Sequence, residues 1–445
     1  MRPSTFIVPF LAAIVSMSCT ERSGSDPRSR AGEARESVVG ESARADLTHS
    51  AVVAVRTVGT SLCSGTIIRR SADGNKLFVL TAAHCCRPGN PPRKVMVGAD
   101  YADPQLVLPV ESFQSHPCYN PLSNDYDFCV LEVPDQGTLN VTPIPLASAP
   151  DDLEDGSEVT AVGFGSTPAS NTIRRVTTAK LTEVAPLTLA IDQREGRGGI
   201  CFGDSGGPLL STQDDHDVVA GVISFGAPTS LCNVIGAAER VSFRGVRDEF
   251  LDKVLAGEKV TVDMLLLRRD GMTLGPVRDT FIASDQPDRN FGERVDMRIG
   301  TPPGSDAVRR ALIRFDLSAL PAGATVLTAR VGLHEEGRTG EATLSIHPVT
   351  KEWDEQRETW SSFGPEGFDR RPLVSFSNAT AVIASTEEVW FDTTELVDRW
   401  ASGEAPNYGL LLRQPEAQET QLLSSEIGRI SDRPWMSICY LPAKH

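Results

Sequence analysis

The sequence predicts an all-β protein built from two folded domains. Three observations carry that reading. Short apolar runs recur between Gly, Pro and Asn turn signals along most of the chain. At 445 residues the chain is too long for one ordinary domain. Composition then changes past residue 257, where all five tryptophans fall: Trp353, Trp360, Trp390, Trp400 and Trp435.

In order, the chain opens with Arg2, an apolar run from Phe6 to Val15, and the small residues of Ser16-Met17-Ser18-Cys19. That is the layout of a secretory signal over residues 1–19, too short to span a membrane. Two outcomes are compatible with it. Cys19 can be the lipidated residue of a bacterial lipobox, though Ser16 stands where an aliphatic residue is usual, or cleavage can simply follow Ser18. Residues 20–37 are rich in Ser, Gly and charge and read as a disordered tether or propeptide. The protein is therefore expected outside the cytoplasm, as a cell-surface or outer-membrane lipoprotein or as a secreted one.

Residues 38–256 form the first folded domain. Strand-like runs occur at Ala51–Val55, Cys63–Ile68, Lys76–Leu80, Lys94–Val97, Phe128–Val133 and Glu158–Val162. Apolar residues at helical spacing predict a closing helix over Val246–Leu255. Residues 257–275 read as a linker, although Val260 to Leu267 already has the composition of a strand. In residues 276–445 the runs Ala311–Leu317, Thr325–Leu333, Ala342–Pro348, Val389–Phe391, Tyr408–Leu412 and Trp435–Tyr440 give the pattern of a β-sandwich.

The chemistry concentrates at Gly198–Leu210, G-G-I-C-F-G-D-S-G-G-P-L-L. It places the Ser205 hydroxyl directly after Asp204 and between glycines. A serine hydroxyl is a weak nucleophile unless a neighbouring base takes its proton. The N–H groups of Gly203 and Ser205 are suited to converge on a developing oxyanion. A histidine, His84, ends one strand-like run, and an acid, Asp127, opens another. The chain order His, Asp, Ser is one of the orders in which this constellation occurs.

The pieces T-A-A-H-C at 81–85, H-P-x-Y-N at 116–120, D-x-x-x-L at 127–131, Gly163-Phe164-Gly165, G-D-S-G-G-P at 203–208 and Ser224-Phe225-Gly226 resemble the chymotrypsin-like (trypsin-like) serine proteases. The resemblance implies a fold of two six-stranded antiparallel barrels and an endopeptidase acting on protein or peptide substrates. Ser205 would be the nucleophile, His84 the general base and then acid, and Asp127 the group that fixes the His84 tautomer. His116 and Asp125 are decoys, and Ser224 is expected to accept a hydrogen bond beside Asp127.

The resemblance also implies an activation pair, in which the α-amine freed at Val38 turns inward to Asp204. Val38-Val39-Gly40-Glu41 departs from the family pattern at Glu41, and no arginine directly precedes Val38. The substrate pocket would be formed by Gly199, Ile200, Ser224, Phe225, Gly226 and Gly236. Because Gly199 stands where trypsin carries an aspartate, an uncharged apolar residue such as Phe, Tyr, Leu or Met is expected before the cut.

Of the nine cysteines, the resemblance pairs Cys63 with Cys85 and Cys201 with Cys232. It assigns no partner to Cys86, Cys118, Cys129 or Cys439. Cys86 bridged to Cys129 or to Cys118, and free buried thiols, all remain open.

Asp279-Thr280-Phe281-Ile282, Asn290-Phe291-Gly292, Arg310 to Leu317 and Asn407 to Leu412 resemble the bacterial DNRLRE-type jelly-roll domain. Related modules bind polysaccharide, so a cell-surface polysaccharide is an expected partner, although strand tryptophans are commonly core residues. The acids Asp279, Asp285 and Asp288 read as solvated loop residues rather than calcium ligands. No metal and no cofactor are expected. A net charge of −16 argues against nucleic acid as a partner, because that needs a basic face. The rival reading is a surface binding or adhesion protein with an inactive or auxiliary first domain.

Overall fold

The computed structural model describes residues 43–443 apart from 60, 138, 166–171, 194–198, 227–234, 271–274, 378–387 and 415–416. Cys19, Val38 and Cys232 lie outside the described residues. The chain divides into two compact units, Arg28–Val262 and Asp263–His445.

The first unit contains two antiparallel sheets. In chain order the N-terminal sheet uses Val52–Thr57, Leu62–Arg70, Lys76–Thr81, Pro92–Val97, Leu106–Pro109, Ser112–Ser115 and Cys129–Pro134. Val52–Thr57 is a nearly continuous buried run at its centre, as an apolar stretch with cover on both faces must be. Lys76–Thr81 pairs with Cys129–Pro134, with Thr81 opposite Cys129. The turns that follow the first of these strands and precede the second therefore emerge at one end of the sheet.

The second sheet closes. Glu158–Gly163, Arg175–Val184, Thr188–Asp192, Ile235–Arg240, His216–Gly226 and Pro208–Gln213 pair in that spatial order, and Pro208–Gln213 returns to Glu158–Gly163. Closure removes free edges. Val159, Leu181, Leu189, Ile191, Leu209 and Ile223 fill the barrel. The unit is a chymotrypsin-like double barrel in which one barrel is closed. The other is a seven-stranded sheet whose edge strands, Leu106–Pro109 and Ser112–Ser115, have no pairing to each other among the described residues. It thus departs from two matched six-stranded barrels. The expected closing helix is present from Arg244 to Ala256, with a wider turn over Arg247–Leu251. Gly257 at φ +71° ends it.

The second compact unit is described from Asp263. Asp263–Arg268, inside the stretch read as a linker, pairs with Trp435–Leu441. The 14-residue strand Thr325–Arg338 serves two halves of one curled eleven-stranded sheet. Its first part pairs with Trp435–Leu441 and Glu388–Asp392, and its last part pairs with Glu419–Leu423. Register shifts at Val326/Thr328 and Glu335/Gly337 accompany that change of partner. The two halves enclose one core, including Phe281, Phe315, Ile313, Leu333, Phe391 and Ile438.

Trp353 and Trp435 are buried, whereas Trp360, Trp390 and Trp400 are half-buried. Asp285 and Asp288 are exposed as expected. Asp279 is not. It sits inside the Val277–Ala283 strand at 1% exposure. Nothing local in the sequence marks a buried carboxylate in a strand, so Asp279 reads there as a loop acid.

Candidate active site

His84 lies in a single helical turn, Ala83–Cys86, directly after the Lys76–Thr81 strand. Two disulfides on adjacent cysteines fix this turn. Cys85 bonds to Cys63, and Cys86 bonds to Cys129 at the start of the strand that follows Asp127. The second bridge resolves the open choice for Cys86. Cys118, Cys201 and Cys439 are also disulfide-bonded. Cys232, the partner expected for Cys201, is outside the described residues.

Asp127 is fully buried. Its Oδ1 accepts the His84 backbone N–H at 2.7 Å, and its Oδ2 lies 2.6 Å from His84 Nδ1. A carboxylate is acceptor-only, so Nδ1 carries the hydrogen and Nε2 is left to accept a proton. Ser224 Oγ donates to Asp127 Oδ2 at 2.6 Å. Ser224 is thus a donor here and not the expected acceptor, because a carboxylate oxygen accepts. The loop before Asp127 is strained: Asn124 and Tyr126 have φ of 60° and 56°, each costing on the order of 1 kcal/mol. It is held by Asn124 N–H to Asn120 O at 2.8 Å and by Tyr126 N–H to Glu239 Oε2 at 3.0 Å.

The Ser205 loop packs on the same end of the N-terminal sheet. Ser64 N–H donates to Ser205 O at 2.8 Å, and the same oxygen lies 3.9 Å from Cys85 Sγ, one residue past His84. Gly206 has φ +83°, and a Cβ there would stand 2.0 Å from Thr81 Oγ1 and 2.4 Å from Ser64 O. Only glycine brings the loop this close to the histidine strand. Gly203 has φ +98°. Its carbonyl accepts from Ser64 Oγ at 2.8 Å, and Ser64 Oγ in turn accepts from Phe164 N–H at 2.9 Å. Among the described residues, neither the Gly203 nor the Ser205 N–H donates to a backbone acceptor. Both remain available to an incoming oxygen.

Asp204 is buried beneath this loop. Its oxygens accept Gly165 N–H at 2.7 Å and Cys201 N–H at 2.9 Å. A Cβ on Gly165 would fall 2.4 Å from Asp204 Oδ2, which explains that glycine of the Gly163-Phe164-Gly165 turn. Burial pushes the Asp204 carboxyl up to about 7, against the opposing effect of the two N–H bonds.

The decoys are structural. His116 is buried, with Nε2 3.0 Å from Gly245 O and Cys118 N–H donating to its Nδ1 at 3.0 Å. It stacks on Tyr126, and burial pushes its imidazole down to about 4. Asp125 is buried and accepts from Ser123 Oγ at 2.6 Å.

Of the expected pocket residues, Gly199, Ile200, Ser224 and Gly236 are described with their surroundings, while for Phe225 and Gly226 only the backbone is. Gln193, which the sequence reading passed over, lies against them. A Cβ on Gly199 would stand 2.4 Å from Gln193 Cδ, and one on Gly236 would stand 2.6 Å from Gln193 Oε1 and from Ile200 Cγ1. The space that the two glycines leave is occupied by Gln193 and Ile200 instead of standing open. The Gln193 amide binds the Ile200 main chain in both directions, accepting at 2.6 Å and donating at 3.1 Å.

A closed barrel beside a curved sheet, with a buried aspartate holding a histidine and a glycine-bracketed serine loop packed on the same sheet, defines a chymotrypsin-like class of protein. The chain belongs to the trypsin family: residues 38–246 match the Trypsin family. It is 30% identical to Glucanase inhibitor protein 1 of Phytophthora sojae over 41% of this chain and 76% of that protein. It is 26% identical to Trypsin 5G1 of Aedes aegypti over 44% of this chain and 77% of that protein. Granzyme A of Bos taurus is 28% identical over 38% of this chain and 70% of that protein. A solved structure of human heparin binding protein is 24% identical, covering 49% of this chain and 97% of its own, with a TM-score of 0.40. Residues 271–437 match carbohydrate-binding module family 96. The second unit is therefore assigned to that module family and not to the DNRLRE-type jelly roll in particular.

Proposed function

We propose that this protein is an exported serine endopeptidase that cleaves peptide bonds through an acyl-enzyme. Ser205 attacks the scissile carbonyl. His84 Nε2 takes its proton and returns it to the leaving amine. Asp127 holds the imidazole and stabilises its charged form, and the Gly203 and Ser205 N–H groups receive the oxyanion. The observation that carries this reading is the Asp127 carboxylate, which grips His84 at both ring and backbone while Ser224 occupies a further lone pair. A scaffold without chemistry has no need of such a buried charge.

In the same reading an apolar, uncharged residue precedes the cut, and Gln193 makes the pocket shallower than its glycines alone would. Cleavage before Val38 frees the amine that pairs with Asp204. Residues 1–19 direct export, ending in lipidation at Cys19 or cleavage after Ser18. The disulfides accord with an oxidising compartment. Among the described residues, no helix is long and apolar enough to cross a membrane.

The second unit acts as a saccharide-binding module, supported by its family match. A cleft of about 440 Å³ there is lined by Arg278, Arg314, Trp400 and Asn407, among others. An indole face with guanidinium donors suits a sugar chain. One relative is named for inhibition of a glucanase, which keeps a purely binding role as the alternative.

The test is a peptide-library assay on material beginning at Val38, beside Ser205→Ala. Cleavage after apolar residues that disappears in the variant is expected. Cleavage after Arg or Lys would overturn the pocket assignment. A folded protein with no cleavage would favour the binding role.

A further inference from the structure

Three carboxylates from distant parts of the second unit converge. Asp279 comes from the Val277–Ala283 strand, Glu355 from the loop before the Trp360–Phe363 turn, and Glu426 from the loop after the Glu419–Leu423 strand. Each offers an oxygen, and the three oxygens lie within 4.8 Å of one another. Asp279 and Glu355 are 1% and 3% exposed, and Glu426 is half-buried.

The groups present leave this cluster incompletely compensated. Asp279 Oδ2 accepts the Ser425 N–H at 2.9 Å. The Ser425 side chain also bonds this carboxylate, but among the described residues its buried Oδ1 has no hydrogen-bond partner. Glu355 Oε1 accepts the Asp279 N–H at 2.9 Å and is engaged by the Gln356 side chain. Glu426 is paired with the Arg269 guanidinium and accepts weakly from Ser425 Oγ. Among the described residues, the cluster's ion pair is the one from Arg269 to Glu426, and buried charge without a partner is costly. The loop carrying Glu355 is also pinned, since Asn290 Nδ2 donates to the carbonyls of Glu355 and Glu358 at 2.8 Å each.

We propose that Asp279, Glu355 and Glu426 hold a calcium ion that ties the Val277–Ala283 strand to the two loops. The donors are all oxygen, which selects hard cations over zinc or copper. Magnesium keeps most of its waters and takes one or two carboxylates. Calcium accepts six to eight oxygens at about 2.3–2.6 Å in flexible geometry. Three protein carboxylates, one with an unpartnered buried oxygen, match calcium better.

The test uses the full chain stripped with a chelator, then titrated with calcium chloride in calorimetry and in thermal melts. At about a hundredfold over its dissociation constant, calcium should raise one melting transition by roughly 5–10 °C. Equal magnesium should not. Asp279→Asn keeps the shape of the side chain and should weaken calcium binding at least about tenfold. Glu426→Gln, at the half-buried position, gives the same readout should the first variant not fold. Unchanged calcium affinity in a folded variant would overturn the site, as would wild-type protein showing neither binding heat nor a shift. Equal stabilisation by magnesium would overturn the choice of metal.

Discussion

Asp127 and Asp279 are both strand-associated carboxylates removed from water, and their surroundings are opposite. Asp127 is met by donors only: a backbone N–H, an imidazole N–H and a hydroxyl. Asp279 is met by the backbone N–H and side chain of Ser425 and by two further acids, and its Oδ1 has no hydrogen-bond partner among the described residues. Asp204 stands between them, with two N–H donors, no side-chain cation among the hydrogen-bond partners described, and a carboxyl raised to about 7. A buried acid surrounded by donors is suited to orient a base. A buried acid short of them is suited to receive a cation, a metal ion for Asp279 and a chain-terminal amine for Asp204.

Substitutions can break or sharpen this comparison. The largest effect is expected at the proposed nucleophile: Ser205→Ala should lower kcat by about 10⁶-fold, read by hydrolysis of a peptide substrate. Asp127→Asn should lower kcat by about 10⁴-fold with little change in KM, because an amide can present its N–H to Nδ1 and favour the wrong tautomer. A loss of tenfold or less would mean that His84 does not depend on the carboxylate.

The third effect concerns Asp204 in the chain that keeps its residues before Val38. Its folded pKa is raised, so the stability it contributes is fully present below about 4 and is lost as pH rises through about 7. The span corresponds to roughly 4 kcal/mol. Thermal melts from pH 4 to 8 should show this loss in the unprocessed chain and a flatter profile in Asp204→Asn. Material beginning at Val38 should lack the loss, since an ammonium partner favours the charged acid. Equal profiles for the two forms would remove the activation pair.

The smallest effect is at the pocket. Gln193→Ala should shift preference toward bulkier residues before the cut by about tenfold in kcat/KM, a change on the order of 1.4 kcal/mol. An unaltered preference would place the specificity determinant elsewhere.

Much of the candidate site's local geometry could be read from the sequence because its constraints are local. Gly206 must be glycine to approach Thr81, and Gly165 must be glycine to clear Asp204, so short motifs record them. The strands of the first unit were legible for the same reason, as apolar runs between turn signals. What escaped depends on contacts between distant segments. The choice between Cys118 and Cys129 for Cys86 depends on which strand end lies nearest. Gln193 touches Gly199 and Gly236 only after the barrel closes. Asp279 looks like a turn acid until Glu355 and Glu426 fold against it. Ser224 does lie beside Asp127, but as the donor, since the carboxylate oxygen is the acceptor.

The most direct test of the central claim is labelling with a fluorophosphonate, read by peptide mass spectrometry on folded material beginning at Val38. An adduct on Ser205 that is lost in His84→Ala is expected, because the hydroxyl reacts only when Nε2 can take its proton. No adduct on Ser205, or an adduct equally strong without His84, would contradict the account.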